Sequence, residues 1–177
     1  MGRTTALRQA LKQRFFPHVE SRGFDRDESD APQVLHFRRF ISAKIEVFSL
    51  RWDKYARPIF HITFNEAPLS GVTVRGVHIA AQNIHPQDPS FPLSLQRSRG
   101  PYLRCWFQLR RPLLKRLSTW RTEYTPEEVV DALLNAYPEM EAWWASGLIG
   151  PHVYAPLDTL GGFRSMGPTS NQRLERR

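Results

Sequence analysis

Residues Ile59–Asn65 alternate without a break: Phe60, Ile62 and Phe64 fall on one side, Ile59, His61, Thr63 and Asn65 on the other. A period of two sends successive side chains to opposite faces of a strand. This segment therefore commits the chain to a sheet with one apolar face that something else must cover. Two further aromatic and β-branched runs precede it, Val34–Ile41 and Lys44–Trp52. Asp53-Lys54-Tyr55-Ala56-Arg57 is short enough to join the second run to the third as a hairpin, with Pro58 tolerated at a strand's start. Tyr102–Arg110 alternates again, with Leu103, Cys105, Phe107 and Leu109 toward a core and Tyr102, Arg104, Trp106, Gln108 and Arg110 away from it. Gly71–Ile79 reads as another strand, irregular at Gly76, and the proline-punctuated stretch Asn83–Pro101 as a long loop.

Helices are expected at both ends. Leu7, Ala10, Leu11, Phe15 and Val19 recur at helical spacing behind a cap at Thr4 or Thr5, Pro17 is expected to kink or divide that helix, and Gly23 to stop it, with Phe24 folding back. Asp25–Asp30 then reads as a solvated polar loop. Pro112 is expected to open a short helix whose Leu113, Leu114, Leu117 and Trp120 share a face. Thr125-Pro126-Glu127-Glu128 is a capping-box start, followed by a buried stripe of Val129, Val130, Leu133, Leu134 and Tyr137. Pro138 is expected to begin a separate turn or helix carrying Met140, Trp143 and Trp144 and ending at Gly147. The order helix, strands, helices predicts an α+β fold: an antiparallel β-sheet with the N-terminal helix and the C-terminal helices packed on one face. Residues 1–160 are expected to form a single domain, and 161–177, Gly-, Ser- and Arg-rich without apolar periodicity, a basic disordered tail.

Charge is the other organising feature. The chain carries a formal net charge of +8. Pro89–Thr122 holds Arg97, Arg99, Arg104, Arg110, Arg111, Lys115, Arg116 and Arg121 with no acid, and Glu123–Asp158 holds Glu123, Glu127, Glu128, Asp131, Glu139, Glu141 and Asp158 with no Lys or Arg. The cations are overwhelmingly Arg, whose planar fork suits carboxylate and phosphate. A single cysteine, Cys105, excludes an intrachain disulfide. No apolar run is long and unbroken enough for a membrane span, and the N-terminus has no hydrophobic signal core, so the expectation is a cytoplasmic protein without a membrane partner.

The run Val47-Phe48-Ser49-Leu50-Arg51-Trp52-Asp53-Lys54-Tyr55, then Phe60-His61-Ile62-Thr63-Phe64, with an upstream helix ending at Gly23-Phe24, resembles an uncharacterised bacterial domain-of-unknown-function family. The likeness covers roughly the first 70 residues and departs from the family at Asp53 and Pro58. It implies a helix ending in Gly-Phe, a Phe-rich strand, a Lys-Tyr hairpin corner and an alternating Phe strand, and no activity.

No catalytic signature is present. Glycine patterns for phosphate loops and dinucleotides are absent, no HExxH pair exists, and one Cys cannot build a zinc knuckle. His78 and His85 flank a loop and read as solvated; Cys105 reads as a buried hydrophobe. No metal and no cofactor are expected. The one surface worth nominating is the basic aromatic face formed by Tyr102, Arg104, Trp106, Arg110 and Arg111, with His61 and Thr63 on the polar side of another strand. Through this Arg-rich 97–121 region the chain is expected to act as a non-enzymatic interaction module, immunity-type or accessory, for an acidic protein. The alternatives are single-stranded nucleic acid on the same face, or a small-molecule binder or enzyme using His61 on the polar sheet face. A competing structural reading has Trp106 and Tyr102 packed under the Asn83–Pro101 loop and the Arg residues paired with Glu123–Asp158.

Overall fold

The computed structural model describes residues 2–27, 33–89, 91–98, 105–112, 116 and 120–155. The chain opens with α1 (Arg3–Ala10), widens into a π-helical stretch (Leu11–Phe15) and continues as α2 (Phe16–Glu20). The wide turn directly precedes Pro17, which cannot donate a helical hydrogen bond, so the proline is absorbed by a change of helical pitch. The N-cap is Gly2, without a side-chain cap; Thr4 instead donates its hydroxyl to the Ala56 carbonyl at 2.6 Å, which ties the helix to a hairpin. Gly23, at φ +84°, ends the helix as expected. Its N–H meets the Glu20 carbonyl and the Phe24 N–H the Val19 carbonyl, a Schellman closure that turns Phe24 back into the core.

The sheet follows: β1 (Asp25–Arg26), β2 (Val34–Phe40), β3 (Lys44–Trp52), β4 (Ile59–Pro68), β7 (Leu93–Leu95), β8 (Phe107–Gln108) and β9 (Val153–Tyr154). It has seven strands in the order β1-β2-β3-β4-β7-β9, with β8 also on β4, and every pairing is antiparallel. The three long strands run where the alternation puts them. Asp25-Arg26, expected in a loop, instead adds an edge strand to β2. Gly71–Ile79, expected as one strand, is a hairpin of β5 (Val72–Val74) and β6 (Val77–Ile79). Its turn residues Arg75 and Gly76 lie at φ +51° and +81°, the pair of positive angles a tight two-residue turn demands.

α3 (Pro126–Ser146) starts on the expected capping box: Glu128 N–H donates to Thr125 Oγ1 at 3.2 Å, and Thr125 N–H to Glu128 Oε2 at 2.7 Å. Contrary to expectation Pro138 starts no new helix. α3 runs through it to Gly147, because Tyr137, Met140, Trp143 and Trp144 bury the same face on both sides of the proline.

The helices cover one sheet face. Phe37, Phe48, Phe64 and Leu93 form one cross-strand row there, and Leu35, Leu50, Ile62, Leu95 and Val153 the next. Phe15 packs edge-on against both Phe48 and Tyr137, and Trp143 and Trp144 stand edge-on to Phe64. Arg39 locks the layers at one end. It pairs with Glu46 on β3 and with Glu141 on α3 at 2.7 Å, and lies over Phe24. A smaller cluster of Ile45, Val47, Ala67 and Ile84 lies apart from this core and takes in Val72 and Ile79 of β5–β6. The chain is an α+β protein with a large antiparallel sheet between its N- and C-terminal helices in sequence.

Candidate functional site on the outer sheet face

Register fixes what the helix-free face displays. His36, Ser49, Thr63, Ser94 and Tyr154 are successive partners across five strands, all pointing away from the helices. In the adjoining row Arg51 pairs with His61, and Gln96 follows Leu95, whose own side chain faces the core, so Gln96 turns outward beside His61. The indole of Trp106 stacks on the His61 ring, centroids 4.6 Å apart and 27° from parallel. The result is a polar strip with an aromatic flank, set between Arg51 on one side and Gln96 on the other.

Burial tunes this strip. His61 is held down to a pKa of about 4, first by desolvation and then by the Arg51 charge, so at neutral pH it is an uncharged imidazole. His36 is likewise lowered to about 4, by burial and then by His85, whose ring lies tilted against it with centroids 4.1 Å apart. Its Nδ1 lies 2.7 Å from Ser49 Oγ. Asn65 donates Nδ2 to the Pro86 carbonyl at 3.0 Å, so the segment around His85 crosses this end of the face. Arg51 is exposed and has no ion pair among the described residues. Among the described residues no group of three or more His, Cys, Asp or Glu could hold a metal ion.

The nominated residues separate. His61 and Trp106 come together, both half-buried. Arg110 is exposed, its backbone bridged to Glu123. Tyr102 and Arg104 lie outside the described residues, as do most of the expected 112–120 helix and the 161–177 tail. Arg111 does not project outward: it is 8% exposed, pairs with Glu128 at 3.1 Å, and sits over the Tyr124 ring. Arg121 takes the same carboxylate at 3.1 Å, and Arg97 covers the other side of the story by lying 3.4 Å from the Tyr124 ring centroid. Part of the basic segment is thus neutralised by the acidic one, as the competing structural reading had it. Trp120, expected to share a helical face with Leu113, Leu114 and Leu117, is 95% exposed.

Sequence reasoning missed Arg51 and Gln96. Arg51 stood at an outward position of a strand already recognised, which was signal enough; Gln96 was hidden in a presumed loop. Against protein-family models, curated proteins and solved structures, the chain finds no match. Among the described residues no helix is long and apolar enough to cross a membrane.

Proposed function

We propose that this protein is a non-enzymatic interaction module that binds an acidic protein segment across the outer sheet face, along Arg51, His61, Trp106 and Arg110. The observation that carries the reading is the cross-strand placement of an exposed Arg51, without an ion pair among the described residues, beside the His61–Trp106 stack on the face turned away from α1, α2 and α3. Tryptophan and arginine are the side chains that most often dominate protein–protein binding energy. Trp120, 95% exposed, supplies a further aromatic in the basic segment.

An acidic protein suits this surface better than a nucleic acid. Polyanion binding draws on many unpaired cations, and Arg111 and Arg121 already share Glu128. The test is titration of the intact protein with a poly-glutamate peptide and with single-stranded oligonucleotides at several salt concentrations. Binding of the peptide, weakened about tenfold by Arg51→Glu, is the expected result. Preferential oligonucleotide binding with a steep log-linear salt dependence transfers the face to nucleic acid. Binding of neither overturns the proposal.

A further inference from the structure

Gln96 is only 4% exposed, yet its Nε2 has no hydrogen-bond partner among the described residues. A buried amide N–H without an acceptor costs the folded state free energy, so a donor kept there points to an acceptor that arrives from outside. The surroundings say which kind. Among the described residues the one charged side chain that acts on the neighbouring His61 is the cation Arg51. The hydroxyl of Thr63, half-buried on the same face of β4, has no partner among the described residues. The indole of Trp106 lies against the His61 ring.

We infer that Arg51, His61, Thr63, Gln96 and Trp106 together make a seat for a single carboxylate, the side chain of a Glu or Asp on the bound segment. One guanidinium and neutral N–H and O–H donors match a planar monoanion; a phosphate dianion calls for more positive charge than Arg51 supplies. Arg51 gives the charge-assisted contact, Gln96 Nε2 the buried amide donor, and His61 an imidazole N–H. The seat rests on the proposed binding face and specifies what that face reads.

The experiment uses the full chain and two blocked tripeptides, Ala-Glu-Ala and Ala-Gln-Ala, with inorganic phosphate as a third probe, followed by NMR of the His61 ring and the Gln96 side-chain amide. The Glu peptide is expected to shift both signals saturably, and the Gln peptide to bind about tenfold more weakly, the loss of one charge-assisted contact. Saturation with the Glu peptide should raise the His61 pKa from about 4 toward its ordinary 6.5, because a carboxylate now faces the ring. Arg51→Gln and Gln96→Leu should each reduce affinity about tenfold. Gln96→Leu removes an unpartnered amide, so its melting temperature should not fall; it therefore tests binding apart from folding. Equal binding of the two peptides, an unmoved His61 pKa, or tighter binding of phosphate at the same signals overturns the seat. Poly-glutamate binding that leaves His61 unperturbed overturns the seat alone. Tripeptide binding at His61 without poly-glutamate binding overturns the interaction-module reading alone.

Discussion

The imidazole of His36 lies against that of His85, centroids 4.1 Å apart, while its Nδ1 stays 2.7 Å from Ser49 Oγ. Burial and the neighbouring His85, Arg38 and Arg51 disfavour a charge on His36, which Asp88 opposes, and hold its pKa at about 4. In the unfolded chain the same group titrates near 6.5. Above pH 6.5 both states are neutral and the pair contributes its full stability; as pH falls from 6.5 to 4 the unfolded chain takes up a proton that the folded one refuses, so stability drops. His61 behaves alike over the same window. Denaturant unfolding at pH 7 and pH 4.5 should show a loss of roughly 1–3 kcal/mol for each group. His36→Gln should flatten that slope without affecting the His61 share. A stability that rises on acidification would contradict both.

Arg39 is the residue on which the sheet and α3 depend electrostatically. It reaches Glu46 and Glu141, and the Tyr137 hydroxyl donates to Glu141 at 2.6 Å. The two acids lie in different layers, so truncating Arg39 leaves nearly enclosed Glu46 and partly enclosed Glu141 facing each other with less compensation. Arg39→Ala should cost about 3 kcal/mol, measured by chemical denaturation, whereas Tyr137→Phe, which removes one donor only, should cost about 1 kcal/mol. Equal effects would show that the guanidinium works by packing on Phe24 and not by charge.

The start of α3 combines two roles in one carboxylate. Glu128 accepts the Thr125 N–H and holds Arg111 and Arg121, and its pKa is lowered, first by the Thr125 backbone hydrogen bond. Thr125→Ala removes one half of the capping box and should destabilise by about 1 kcal/mol. Glu128→Ala removes the other half together with the carboxylate of the buried Arg111, and should cost about 2–3 kcal/mol in the same assay. A Glu128→Ala effect no larger than that of Thr125→Ala would reduce its pairing with Arg111 to a surface contact.

The sheet was legible because its signal is local. Strand β4 alternates without a break and β2 and β3 are rich in aromatic and β-branched residues, while Gly23 and Thr125 announce helix ends through backbone needs that few residues meet. What failed depended on distant partners. Pro138 reads as a break, yet aromatic burial on both sides outweighs the roughly 3 kcal/mol a helical proline costs. Thr4 reads as a cap, yet Ala56, fifty-two residues on, claims its hydroxyl. β7 is three residues long, too short to show a period, so Gln96 passed for loop. His61 and Trp106 come together because both sit on outward positions of their strands. Arg111 was not distinguishable from Arg110 in sequence, since the strand pattern ends there and only the position of Glu128 decides which arginine is buried.

That distinction yields the sharpest contrast between neighbours. Arg110 is exposed without a side-chain ion pair among the described residues, and Arg111 is buried against Glu128 and Tyr124. Arg110→Glu should leave the melting temperature within a degree or two of the parent while weakening poly-glutamate binding. Arg111→Glu places a second carboxylate beside Glu128 in a poorly hydrated site and should cost about 3 kcal/mol or more, lowering the melting temperature by several degrees. Thermal melts of the two variants, run beside the peptide titration, separate a docking residue from a structural one. A destabilised Arg110→Glu would show that its side chain is held inside the molecule and remove it from the proposed binding face.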